Sequence, residues 1–346
     1  MRFRWTLGAA LALLAASAIA DEDVWTIGPR KLPPPANASP ELKAIIGAER
    51  TPKAMQGDPP SSMLIWKGLI ALQDAKGAER AKEIARKYGV TVREDRIAGV
   101  AVFRVDPPVV APEHKDHIFV HVHGGAWLFN GGRAATVEAA LIAAKAGIPV
   151  ISIDYRRAPD FPYPAAMDDV VAVWTELLTS HKPSQMALGG TSAGGNLALA
   201  AMLKLKALGL PLPAALMLGT PAVDMNKTGD SRFLNDGVDH GLAWDGDAAE
   251  AVKIYANGHD YADPYLSPIR GDVSGFPPTY LVTGTRDLLL SDTALMHAKL
   301  RRAGVPAELN VYEGFAHADY LNYEGTPESD QHFAELKIFL ADHLAQ

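Results

Sequence analysis

A serine set between glycines, with a histidine and an aspartate further along the chain, is the raw material of nucleophilic acyl transfer. Gly190-Thr191-Ser192-Ala193-Gly194 has the G-x-S-x-G form. Its glycines permit a tight strand-to-helix turn that lifts the serine hydroxyl clear of a sheet, near the positive end of the following helix. The pattern alone is moderately specific, and it gains weight from the apolar strand expected at 186–188 and the helix at 196–208. An attacked carbonyl develops negative charge, so such a site also needs backbone N–H groups aimed at that oxygen. His123-Gly124-Gly125-Ala126-Trp127 offers a second glycine-rich turn directly after an apolar strand at 118–122. A plain strand-end turn is the alternative for that segment. A metal reading of His121-Val122-His123 is poor, because alternate strand residues point to opposite faces and no compact ligand cluster follows. No metal or cofactor is called for.

A serine nucleophile requires a base and an orienting acid, and the candidates should lie on loops after late strands. Asp287 lies after a predicted strand at 279–283, in Gly284-Thr285-Arg286-Asp287, and His317 after one at 307–312, in Glu313-Gly314-Phe315-Ala316-His317. The chain has 11 histidines, but His317 is the one between the last predicted strand and the final helix. Asp292 is the neighbouring candidate for the acid. Its place at a predicted helix start suits a cap or first-turn acid better.

These residues need elements to carry them. Short apolar strands at 118–122, 149–153, 186–188, 214–218, 279–283 and 307–312 alternate with helical patterns at 134–146, 164–179, 196–208, 292–303 and 329–344. That rhythm predicts an α/β fold with a mostly parallel sheet covered on both faces. Antiparallel strands are expected at 90–93 and 100–105. Residues 61–89 carry helical spacing in two stretches, as packing helices or part of a lid, and 21–60 reads as an extended, proline-rich lead-in. The long interruption at 223–274 is predicted to contain helices of its own and form a cap. Its aromatic residues Phe233, Trp244, Tyr255 and Tyr261 either shape a pocket or fill the core of the cap itself.

With these motifs in this order, residues 90 to 346 resemble the hormone-sensitive lipase family of microbial esterases. The stretch Asp154-Tyr155-Arg156-Arg157-Ala158-Pro159-Asp160 and its continuation to Asp168 add to the likeness. The family most often has Asp before the nucleophile, and Thr191 is similar to a branch with the GTSAG motif. Ala126 replaces the third glycine of the oxyanion loop, and Trp127 the usual Phe; a positive φ at Ala126 would be strained.

The resemblance implies an α/β-hydrolase domain over 61–346, with cap contributions from 61–89 and 223–274. It implies Ser192, Asp287 and His317 as catalytic residues. The N–H groups of Gly125, Ala126 and Ala193 would form the oxyanion hole, with Gly124 allowing close approach. The activity implied is a serine carboxylesterase acting on short to medium acyl esters through an acyl-enzyme. A lactonase or amidase using the same triad, or a non-catalytic ligand-binding member, are the alternatives, and the retained His317 disfavours the last.

Composition agrees with a globular enzyme: 346 residues, 48% hydrophobic and 21% charged. A net charge of −7 without a basic run excludes a nucleic-acid footprint. Residues 1–20 combine Arg2 and Arg4 with a short apolar run and Ala18-Ile19-Ala20, which reads as a signal peptide and predicts export to the periplasm or medium. The run is shorter than the ~20 residues of a membrane anchor, so no stable membrane insertion is expected after its removal. There is no cysteine, so stability in an oxidising compartment must come from packing. The expected partner is a small-molecule ester; the oligomeric state stays open, a homodimer being one alternative.

Overall fold

The computed structural model describes residues 28–48 and 58–344. The expected signal peptide at 1–20 lies outside the described residues. Residues 28–33 carry neither helix nor strand.

Eight strands form one sheet in the order β1-β2-β4-β3-β5-β6-β7-β8. β1 (Thr91–Ile97) and β2 (Val100–Asp106) make an antiparallel hairpin, and β2 is antiparallel to β4 (Val150–Ile153). From β4 through β3 (Ile118–Val122), β5 (Met186–Thr191), β6 (Ala215–Gly219), β7 (Thr279–Gly284) and β8 (Ala307–Tyr312) every pair is parallel. The α/β-hydrolase fold expected from the strand-helix rhythm is the fold observed.

The apolar content of the central strands serves two faces at once. Along β6, Leu216 and Leu218 join one hydrophobic cluster while Ala215 and Met217 join the other, the period-two alternation of a strand buried on both sides. The first cluster takes in Val170 and Trp174 of α4 (Ala165–Leu177), Leu197 of α5 (Ala193–Ala207), and Met296 and Leu300 of α8 (Leu290–Arg302). The second takes in Ala139 and Ile142 of α3 (Thr136–Ala146) and Phe333 and Leu336 of α10 (Pro327–His343). Each fully buried Leu or Phe contributes about 1.5–3 kcal/mol, so the two faces together hold the sheet rigid beneath the loops at its carboxyl edge.

Two N-terminal features differ from expectation. The lead-in is not wholly extended: α1 spans Pro40–Ala48, burying Leu42 and Ile46, and Ser39 at its start donates from backbone and hydroxyl to the Glu328 carboxylate at 2.6 and 2.8 Å. A single helix, α2 (Met63–Tyr88), replaces the two expected over 61–89. The Ala, Glu, Lys and Arg residues between its apolar ends are strong helix formers and keep it continuous. It starts at Ser62, whose hydroxyl accepts Ile65 N–H at 3.4 Å, and stops at Gly89 with φ 69°.

The insert between β6 and β7 contains helices, as expected: α6 (Ser231–Leu234), a π-type turn at Trp244–Ala248 and α7 (Ala249–Ala256). A last short helix, α9 (Asp319–Asn322), lies between β8 and α10. Among the described residues no helix is long and apolar enough to cross a membrane.

Candidate active site

Ser192 sits at the turn between β5 and α5 with φ 60° and ψ −121°, a conformation an L-residue adopts only when its surroundings impose it. The imposition comes from backbone crowding. A Cβ on Gly190 or Gly194 would collide with the Val122 carbonyl oxygen, so only glycine lets the elbow press against the end of β3. Ser192 N–H donates to Gly219 O at 2.7 Å, tying the elbow to β6.

The structure brings Ser192, His317 and Asp287 together from three loops. The Ser192 hydroxyl lies 2.9 Å from His317 Nε2, and His317 Nδ1 lies 3.2 Å from Asp287 Oδ1. Asp287 is fully buried and its oxygens are crowded with donors: Leu289 N–H on Oδ1 at 2.8 Å, Thr283 Oγ1 on Oδ2 at 3.0 Å, and Thr220 Oγ1 on Oδ2. These bonds fix the carboxylate as an acceptor for the imidazole N–H. Burial works to lower the pKa of His317, but the charges of Asp287, Asp239 and Asp319 and its bond to Asp287 outweigh that and raise it. A serine donating to the free Nε2 of an imidazole so oriented is the arrangement for general-base activation.

Asp292 is not part of this group. It is buried against Arg232, with Oδ2 to Nη2 at 2.5 Å, and accepts Val223 N–H at 3.0 Å. It stands in the first turn of α8, as expected, but its work is to neutralise a buried guanidinium that also bonds Asp224 O and Asn226 O.

Alongside the elbow runs the turn His123 to Trp127. Gly125 has φ 117°, Ala126 φ 50° and Trp127 φ 61°, so the alanine does occupy the left-handed region and is strained, by about 1–2 kcal/mol. The turn is held from several sides. Gly125 O accepts Leu128 N–H and Phe129 N–H, and Gly124 O accepts Asn130 Nδ2 at 3.2 Å and His123 Nδ1 at 2.8 Å. His123 stacks on Tyr155 at 4.1 Å, whose hydroxyl donates to His123 O; burial pushes the imidazole down to about 3, so it stays neutral. Arg157 donates to Leu128 O at 2.6 Å and pairs with Asp74. The Asp154 to Asp160 stretch thus braces this loop. Ala193 opens α5 directly after Ser192.

A family model for the α/β-hydrolase fold matches residues 119–321. An esterase of Acinetobacter venetianus is 30% identical over 254 residues, 72% of this chain and 82% of that protein. A carboxylesterase of Mycobacterium tuberculosis is 33% identical over 251 residues, 67% of this chain and 75% of that protein. Among solved structures, an esterase superimposes with a TM-score of 0.91 at 47% identity, covering 94% of this chain and all of the other. An esterase described as bacterial hormone-sensitive lipase family superimposes at 0.76 and 29% identity, covering 89% and 99%. The chain belongs to the hormone-sensitive lipase family of α/β-hydrolases. It is a carboxylic ester hydrolase.

Three residues of this hydrolase's site are not evident in the sequence reading. Thr220 follows β6 with φ 34°, rare for a β-branched residue, and its hydroxyl sits 3.4 Å from His317 Nδ1 as well as on Asp287. Asn235, from the insert, donates Nδ2 to Asp287 O at 2.8 Å. Asp239 is also from the insert and is 1% exposed. Its Oδ1 accepts the N–H groups of Gly241 and Leu242 at 2.8 and 3.0 Å, and its Oδ2 those of Leu288 and His317 at 2.8 and 3.2 Å. Burial and the nearby Asp287 charge push this carboxyl up to about 6. The turn-forming run Asn235-Asp236-Gly237 before it is the one signal in the sequence that a tight, polar loop stands here.

Asp239, Asp287 and His317 each offer a ligand atom within 4.8 Å of the others, a spacing that suits a divalent cation. Their bonds argue for a different use. The His317 nitrogens face Asp287 and Ser192, and Asp239 is spent on four backbone N–H groups.

Proposed function

We propose that this hydrolase is a serine carboxylesterase acting on short to medium acyl esters through an acyl-enzyme. The observation that carries the reading is the continuous line of hydrogen bonds Ser192 to His317 to Asp287. His317 accepts the Ser192 proton as the oxygen attacks the ester carbonyl, and Asp287 stabilises the imidazolium that forms. The N–H groups of Gly125, Ala126 and Ala193 receive the oxyanion. His317 returns the proton to the leaving alcohol, and water, activated by the same imidazole, releases the acid.

The Thr191 motif assigns the protein to the GTSAG branch. Residues 61–89 and 223–274 contribute a cap that limits the acyl chain, and residues 1–20 direct export. N-terminal sequencing of protein recovered from the periplasm or medium tests that last assignment.

The mechanism is tested with p-nitrophenyl acetate and a fluorophosphonate probe. Ser192→Ala loses hydrolysis by a factor on the order of 10⁶ and is not labelled. Near-normal hydrolysis by that variant would overturn the serine mechanism. A series of longer acyl esters, beside a lactone and an amide, measures the substrate range, and a rate that keeps rising with acyl length would overturn the short to medium limit.

A further inference from the structure

The residue before Ser192 bonds a buried carboxylate that the proposed reaction does not use. Glu138 stands in the first turn of α3, 5% exposed. Its Oε1 accepts the Thr191 hydroxyl at 2.6 Å and its Oε2 accepts His121 Nε2–H at 3.0 Å. His121 Nδ1 in turn faces Ser152 Oγ at 3.0 Å, and that hydroxyl also lies 3.0 Å from Ala135 O. The Thr191 hydroxyl also lies 2.9 Å from the hydroxyl of Tyr320. Since a threonine has one proton to give and Glu138 takes it, Tyr320 is the donor in that second bond.

We infer that Glu138 is a positioning residue for Ser192, acting through Thr191, and that it restricts position 191 to a side chain that gives a proton and accepts one. The inference rests on Ser192 being the nucleophile.

The strained φ of Ser192 leaves its hydroxyl direction dependent on how firmly the preceding residue is held. Thr191 is the last residue of β5, paired with Gly219, and its side chain is fastened from two directions. One leads to α3, the other to Tyr320 in the α9 turn that begins just past His317. Nucleophile and base are thus referenced to one buried hydroxyl. A valine at 191 fills the space but gives no proton to Glu138 and no lone pair to Tyr320. An aspartate reaches equally far but offers only acceptors when ionised, setting two carboxylates at hydrogen-bond distance in a buried site, where one must take up a proton.

The test is a double-mutant cycle at positions 138 and 191, reading kcat and KM on p-nitrophenyl acetate with thermal unfolding alongside. Thr191→Asp is expected to lose about 100-fold in kcat with KM little changed, the size of effect a displaced reacting group produces. Adding Glu138→Gln is expected to recover most of that loss. The glutamine amide donates to the new carboxylate while its oxygen still accepts from His121. Thr191→Val is expected to lower kcat with KM unchanged and supplies the answer if Thr191→Asp does not fold. Wild-type kcat in a folded Thr191→Asp or Thr191→Val, or a double variant no better than the single, would overturn the role of Glu138. Retained activity in Ser192→Ala would overturn the serine mechanism instead, so the two failures are separable.

Discussion

Asp239 Oδ2 receives the main-chain N–H of His317 at 3.2 Å, and the same oxygen receives that of Leu288 at 2.8 Å. One carboxylate from the insert therefore grips both the loop of His317 and the loop of Asp287. Its negative charge is also among those that raise the pKa of His317.

Asp239→Asn is therefore expected to move the acidic limb of kcat/KM. Removing a negative charge makes the imidazolium less stable, so the pKa of His317 falls and the limb shifts to lower pH. In the wild type Asp239, pushed up to about 6, takes up a proton as the pH falls through that value and loosens its grip, which adds a second ionisation to the limb. The wild-type limb should thus be steeper than one proton requires, and the limb of the variant should be of single-proton slope. A pH-rate profile between pH 5 and 9 checks both; an unmoved limb would assign Asp239 a purely geometric role.

The two neighbouring aspartates should separate cleanly. Asp287→Asn is expected to lose about 10⁴ in kcat through the wrong imidazole tautomer while keeping most of its stability. Asp292→Asn leaves the buried Arg232 without its counter-charge and is expected to cost about 3–5 kcal/mol of stability, with kcat per folded molecule largely kept. Denaturant titrations paired with initial rates distinguish them, and a reversal of the two patterns would contradict the assignment.

That contrast also shows what the sequence could and could not reveal. Ser192, Asp287 and His317 were legible because strand-then-turn patterning puts them on successive loops at one sheet edge, and local pattern suffices for that. The end of β5 was read short because Gly189 and Gly190 lack the apolar side chains that mark a strand, although their backbones pair with β6. Asp239, Thr220 and Glu138 were not legible. Each has at least one partner about 50 or more residues away, and a lone Asp, Thr or Glu in a turn or a helix carries no periodic signal. The bond from Ser39 to Glu328 that anchors α1 is the same kind of long-range fact.

Ser192→Gly and Ser192→Ala both remove the hydroxyl, yet they should differ in stability. At φ 60° and ψ −121° alanine keeps the strain and glycine sheds it. Ser192→Gly is expected to be the more stable by about 1 kcal/mol, seen as a higher midpoint in urea. Equal midpoints would mean the elbow relaxes once the hydroxyl is gone.

Trp127, in the turn after β3, stacks on Tyr255 of α7 at 4.8 Å with rings 5° apart, and Trp127 Nε1 donates to Asn196 at 3.3 Å. Among the described residues the buried Tyr255 hydroxyl has no hydrogen-bond partner. Tyr255→Phe should therefore keep activity and gain stability, by up to about 1–3 kcal/mol, since an unpaired polar group is removed. Tyr255→Ala should lose about 3–5 kcal/mol and reduce kcat, because the loop loses its stacking partner. Thermal melts and ester assays of both variants decide, and a destabilised Tyr255→Phe would count against the reading.

The collision that forbids a Cβ at Gly190 and Gly194 has a consequence for how this molecule can diversify. The Ser192 elbow meets β3 main chain to main chain at the Val122 carbonyl, with no side chain in between. Such a seam is blind to most substitutions elsewhere in the chain, so the elbow can be inherited unchanged while those parts of the segment between β6 and β7 that do not hold Asp287 or His317 are rewritten around it. An engineer seeking a new substrate has freedom in that segment outside Thr220, Asn235, Asp239 and Tyr255, and almost none at the seam.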